Sequence, residues 1–350
     1  MIVAPFVNAL LAAALFGAAT PASKWLLGTL SPLQLAGLLY LGAALGVVPA
    51  LVRSRSLAFP RDRLGRTRLL GAVVCGGLLG PLLLLLGLRL ASAASVSLWL
   101  NLELAATAVL GAVWFHDRLG AGGWLGAAVA LGAGALLSSG EGAAGFAAGG
   151  LVAAACVCWA FDNHWTALLD EVPPAVTTFW KGGAAGAANL ALGAALAPFT
   201  AAPSRVAAAL ATGALCYGAS IVLYVTAAQS LGATRAQVAF ASAPLFGVAL
   251  AAAWLGEPVS TLQLGAAAAL ALAVGLVLRD RHAHLHRHEA LAHVHWHRHD
   301  DGHHGHAHPP AESGALPGGA HAHWHVHEPL EHAHPHWPDL HHRHRHGERT

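Results

Sequence analysis

Charge is what this chain has least of. Asp, Glu, Lys and Arg make up 10% of its 350 residues, where a soluble globular domain carries roughly a quarter. Lysine is nearly missing, with Lys24 and Lys181 alone among the 19 basic residues. Cysteine is scarce too: Cys75, Cys156, Cys158 and Cys216 all sit inside apolar runs. Cys156 and Cys158, two apart, point roughly opposite ways on a helix and form neither a zinc knuckle nor a redox pair. They read as small buried hydrophobes. No G-x-x-x-x-G-K-[ST] loop occurs, so ATP-driven transport is not supported. No nucleophile–base or metal–base constellation is visible, so no enzyme is expected, and nothing points to nucleic acid. The amino-terminal apolar run is long and lacks a basic lead or an evident cleavage site. It is expected to be a first membrane span and not a signal peptide.

What remains is apolar and divided. The hydrophobic fraction is 56% and the mean hydropathy +0.55, but residues 280–350 carry 23 of the 25 histidines. A membrane helix needs about 20 apolar residues. Ten segments qualify: 4–26, 32–52, 69–89, 92–115, 121–139, 147–168, 174–197, 204–229, 235–255 and 260–278. The stretch 91–137 recurs about 140 residues later as 231–278, with Leu110 on Leu250, Trp114 on Trp254 and Asp117 on Glu257. Such a fixed-period duplication sets the fold. The expected fold is therefore an all-α polytopic membrane protein of ten transmembrane helices in two five-helix repeats, 1–140 and 141–279. An odd number of spans per repeat inverts the second half relative to the first. Inverted halves usually hold substrate near the bilayer midplane, where they meet.

Orientation follows from positive charge in short loops. Arg53, Arg55, Arg61, Arg63, Arg66 and Arg68 cluster after the second span. With that segment in the cytoplasm, both termini are cytoplasmic, and the chain is expected in the cell membrane. Small residues spaced four apart, such as Gly42/Gly46 and Gly182/Gly186, allow close helix packing.

Charges at membrane depth cost roughly 2.5–3.5 kcal/mol each, so they need a reason. Glu103 lies on a stripe Ser92, Ser95, Trp99, Glu103, Thr107, spaced three and four apart on one helix face. A carboxylate held out of water can shed that cost by taking up a proton, as a proton-coupled carrier requires; a structural hydrogen bond or a pair with Lys181 is the alternative. In the sixth span Trp159, Asp162, Asn163 and Thr166 share a face. An acid beside an amide can hold an ammonium group or a proton, or can be a packing knot with Lys181. Lys181 itself either neutralises a substrate carboxylate or compensates Asp162, and pairing is the default because an unpaired buried charge costs more. Tyr217, Ser220 and Tyr224 form a further stripe. The candidate substrate cavity is thus Trp99, Glu103, Trp159, Asp162, Asn163, Lys181, Tyr217 and Tyr224.

Residues 280–350 read as a disordered cytoplasmic tail that is itself duplicated at an offset of 39. His282, His284, His286 and His288 recur as His321, His323, His325 and His327; His293, His295 and His297 recur as His332, His334 and His336. Imidazole is the commonest metal ligand, and alternating histidines can wrap Zn²⁺, Ni²⁺, Co²⁺ or Cu²⁺. No closed structural zinc spacing is present, and no cofactor is required. Low-complexity drift is the other reading.

Several motifs together resemble a known family. Ser97-Leu98-Trp99-Leu100-Asn101-Leu102-Glu103, His116-Asp117-Arg118-Leu119, Leu231-Gly232-Ala233-Thr234-Arg235-Ala236, Ala243-Pro244-Leu245-Phe246 and Gly256-Glu257-Pro258 are similar to the EamA-like permeases of the drug/metabolite transporter superfamily. The resemblance implies ten helices in two EamA repeats and a central cavity for small organic solutes, often exported. The expected function is a secondary carrier whose partners are the bilayer and a small solute. The alternatives are a divalent-metal carrier whose tail buffers its cargo, and a metal- or pH-sensing membrane protein that transports nothing.

Overall fold

Prolines, serines and glycines set the ends of the helices, and the apolar runs between them form the rods. The structure, a computed structural model, describes residues 3–54, 57–114, 120–169, 172–231, 240–279, 282–288, 291–297, 321–327 and 330–336. In chain order the rods are α1 (Val3–Leu26), α2 (Pro32–Ser54), α3 (Arg63–Leu90), α4 (Ala93–Val113) and α5 (Ala121–Gly140). The second set is α6 (Gly142–Ala167), α7 (Pro174–Leu196), α8 (203–231), α9 (Ala243–Leu255) and α10 (Thr261–Arg279). Seven helices of the described residues are long and apolar enough to cross a membrane, and α7 matches them in length at 23 residues.

Two starts differ from the sequence reading. The third rod begins at Arg63, not 69, because the Asp62 carboxylate accepts from the Gly65 amide at 2.9 Å and caps it; a side-chain acceptor there outweighs the arginines that suggested a loop. The sixth begins at Gly142, not 147. Gly142, at φ +70°, lets the chain turn directly out of α5, a conformation glycine adopts without steric cost.

The halves interlock with opposite polarity. Along α2, Gln34, Gly37, Leu41 and Ala44 meet Gly193, Leu190, Gly186 and Gly182 of α7 in falling order, so the two helices run antiparallel. They are the second rods of their repeats, which makes the repeats inverted. The other contacts exchange in the same way: α1 packs on α8 and α9 as α6 packs on α3 and α4, and α5 meets α10. Leu26, Leu35, Leu39, Leu85, Leu88 and Trp99 are fully buried in the common core. Large apolar side chains such as Val52, Val113, Leu196 and Trp254 face outward, as lipid contact requires.

Each repeat carries the same two irregularities. π-helical turns occupy Val73–Leu79 in α3 and Gly213–Ala219 in α8. In α4 a tight turn at Leu100–Asn101 separates Ala93–Trp99 from Leu102–Val113, and the matching turn at 241–242 precedes the described part of α9.

Four seven-residue stretches of the tail are extended and paired. His282–His288 pairs antiparallel with Leu330–His336, and Leu291–His297 with His321–His327. Histidine alternating with a smaller or apolar residue has the strand period of two. The register sets His282, His284 and His286 opposite His336, His334 and His332, and His293, His295 and His297 opposite His325, His323 and His321.

Candidate functional site

The interruptions in α4 and α9 border an internal cavity of about 260 Å³. Its wall comes from both repeats: Phe16, Gly17 and Thr20 of α1, residues of α4 from Ser97 to Thr107, Asn163 of α6, residues 240–244, and Val274 of α10. Broken helices bring backbone polar groups to the midplane, where carriers of this architecture use them. The Asn163 amide donates to the Glu103 carboxylate at 3.0 Å and to the Thr107 hydroxyl at 3.4 Å. Glu103 is the one ionisable side chain among the described lining residues. The Ser97 hydroxyl also lines the cavity, buried and without a protein partner among the described residues.

Asp162, one position along α6 from Asn163, faces elsewhere. It pairs with Lys181 at 2.6 Å and accepts from Thr166 at 3.1 Å. That pair lies against the π turn of α3. A wide turn withdraws carbonyls from the regular ladder, and buried carbonyls need donors. Gly76 O accepts from the Tyr40 hydroxyl and from Trp159 Nε1 (3.1 Å), and Gly77 O from Asn189 at 3.1 Å. Three helices are thereby tied to one turn.

Of the eight sequence-predicted cavity residues, Glu103 and Asn163 line the cavity. Trp99 is wholly buried and donates to Gly134 O at 3.1 Å. Trp159, Asp162 and Lys181 belong to the π-turn cluster. Tyr217 stands between the two sites, with ring contacts to Tyr40 at 6.1 Å and to Phe16 at 5.9 Å; Phe16 meets Phe240 at 5.3 Å, and Tyr224 backs Phe240 at 4.9 Å. The polar stripe on α4 is split by the turn at Leu100–Asn101, which sends Ser92 and Ser95 to one membrane face and Glu103 and Thr107 to the cavity. Sequence reasoning missed Phe16, Thr20, Ser97, Asn101 and Phe240; the signal was polar or aromatic residues isolated in otherwise aliphatic spans. Within α1–α10 no group of three or more His, Cys, Asp or Glu side chains is gathered for a metal.

On the face opposite the arginine-rich segment, polar groups join the helix ends. Lys24 Nζ donates to Leu88 O and Ala91 O, both at 2.7 Å. The Glu257 carboxylate accepts from the Ala93 and Ala94 amides, both at 2.9 Å. Glu141 accepts from the Ser92 and Ser95 hydroxyls, and Gln263 Nε2 reaches Ser95 Oγ at 2.9 Å. Gly256, at φ +67°, ends α9 in the left-handed turn that precedes Glu257.

Two inverted sets of five apolar helices around a largely apolar cavity with a single carboxylate are the arrangement of a membrane transport protein. The chain belongs to the EamA-like transporter family, whose model matches residues 5–139 and again 148–279, one match per repeat. A solved chain titled "Crystal structure of protein" has the same fold at a TM-score of 0.56 and 18% identity, over 78% of this chain and 95% of its own. No curated protein matches the chain. The family places it among multi-pass membrane transporters of the drug/metabolite type, in a lipid environment and acting on small molecules.

Proposed function

We propose that this transporter is a secondary-active exporter of small organic solutes in the cell membrane, with both termini cytoplasmic, and that solutes bearing an ammonium group fit it best. One observation carries the reading: Glu103, held by Asn163 from the other repeat, is the one charge among the described cavity residues. Lys181, the nearby cation, is occupied by Asp162. An ammonium group would sit on the carboxylate, and an apolar body would lie against Phe16, Phe240 and Pro244. Proton exchange at Glu103 would supply the coupling. The test is flux into proteoliposomes across a panel of amines, amino acids, carboxylates, nucleosides and divalent metals. Amine flux driven by a proton gradient is expected, with Glu103→Gln lowering it about ten- to hundredfold, the loss of one charge-assisted hydrogen bond. Flux confined to carboxylates would overturn the reading.

A second reading, a divalent-metal carrier, is favoured by the tail, where paired strands set histidine opposite histidine. Truncation at residue 280 separates the two readings. Metal flux that survives truncation and is lost with Glu103→Gln favours the metal carrier, and amine flux that survives truncation favours the exporter.

A further inference from the structure

Helix α4 is made of two pieces, and what holds the first piece belongs largely to the other repeat. Ala93–Trp99 begins at a membrane face and ends at the turn that lines the cavity. Its start is gripped by Glu257 and Gln263 of the second repeat and by Glu141 between the repeats. The amides of Ala93 and Ala94 are among those a helix start leaves unpaired, and a carboxylate there also meets the positive end of the helix dipole. On the other side of the same connection, Lys24 takes the carbonyls that α3 leaves unpaired at its end. Lys24 lies within electrostatic reach of both Glu257 and Glu141. One short connection thus carries a cation on its α3 side and two carboxylates on its α4 side. The cavity wall reaches toward the arginine-rich face at Thr107, Asn163, the start of α9 and Val274, and toward the other face at Thr20 of α1 and Ser97 of α4. Ser97 is its lining residue in the first piece of α4, on the side toward the grip.

We infer that this grip is a gate: Glu257 and Glu141, with Lys24 fixing the connection that precedes them, latch the first piece of α4 shut over the cavity, and their release lets that piece swing about Leu100–Asn101 to open the cavity to the face opposite the arginine-rich segment. Two features separate a latch from mere bracing. The piece itself is buried, but the side chains of Glu257, Glu141 and Lys24 that hold it are half-exposed, so water can take over their charges when they part. The piece they hold also has its own joint, whose hydrogen bonds have already shortened to three-residue spacing at Asn101 and Glu103. The inference rests on the carrier reading above, but its test needs no substrate.

The test is thiol labelling of Ser97→Cys, with the four native cysteines replaced by alanine, using a membrane-impermeant reagent applied to each face separately. With Glu257 present, labelling from the latched face is expected to be slow. Glu257→Gln and Lys24→Met should each speed it about tenfold, the effect of losing a helix-end cap. Equal rates with and without Glu257 would overturn the gate. So would parallel labelling of Val176→Cys, a buried site in a separate core cluster formed by α2 and α7, because the carboxylate would then be bracing the whole bundle. A second readout keeps the native cysteines: hydrogen exchange of the peptide 91–100 in the full chain should be faster in Glu257→Gln, and unchanged exchange would overturn the gate. Should no solute ever be found to move, the labelling result still stands by itself, so failure of the carrier reading and failure of the gate are told apart.

Discussion

Asp162 and Asn163 are neighbours in sequence and serve different places. About 100° of helical rotation separates them, enough to turn one toward Lys181 and the π turn and the other toward Glu103. A stripe of residues three and four apart spans that angle, so the sequence could group them but not divide them. Lys181 was legible as the partner of Asp162 because an unpaired buried charge is the costlier state. Asp162→Asn is expected to destabilise the protein by about 3–5 kcal/mol, since it leaves the ammonium buried and alone. Lys181→Met added to it should recover most of that loss. Thermal unfolding in detergent measures both, and an Asp162→Asn protein as stable as the wild type would mean the pair is not structural.

At the scale of the element, the irregular turns carry the positioning. The sequence announced ten helices through apolar length, proline and charge. It gave no sign of the π turns; at the one in α3, donors from α2, α6 and α7 reach carbonyls that a regular helix would have used itself. Tyr40→Phe removes one of the two donors to Gly76 O and leaves Trp159, so a cost of about 1 kcal/mol is expected. Tyr40→Phe with Trp159→Phe orphans the carbonyl and should cost more than the sum of the single changes, a coupling that a double-mutant cycle reads directly. The α2–α7 seam is the other sensitive element. A Cβ at Gly186 would stand 2.7 Å from the Leu41 amide nitrogen and 2.8 Å from its side chain. Gly186→Val should therefore lower stability by about 1–3 kcal/mol through overpacking, seen as a reduced thermal midpoint.

The whole molecule joins an apolar bundle to a histidine-rich tail with different chemistry. Inversion of the halves could be read from the odd span count, and the antiparallel order of contacts along α2 and α7 bears it out. The tail's pairing could not be read so far ahead, because alternation gives the strand period without saying which strand meets which. Removing residues 281–350 is expected to leave the bundle folded while abolishing retention on an immobilised Ni²⁺ or Zn²⁺ column. Imidazole must be neutral to bind a metal. Retention by the full chain should therefore be strong above about pH 6.5 and lost as the pH falls below it, which elution across a pH gradient measures.

The widened turns at Val73–Leu79 and Gly213–Ala219 fall 140 residues apart, the same interval as the duplication. An ancestral five-helix protein that already had the fault, copied once, accounts for both. The two copies read Val-Val-Cys-Gly-Gly-Leu-Leu and Gly-Ala-Leu-Cys-Tyr-Gly-Ala, so one shape is spelled by two nearly unrelated strings of residues.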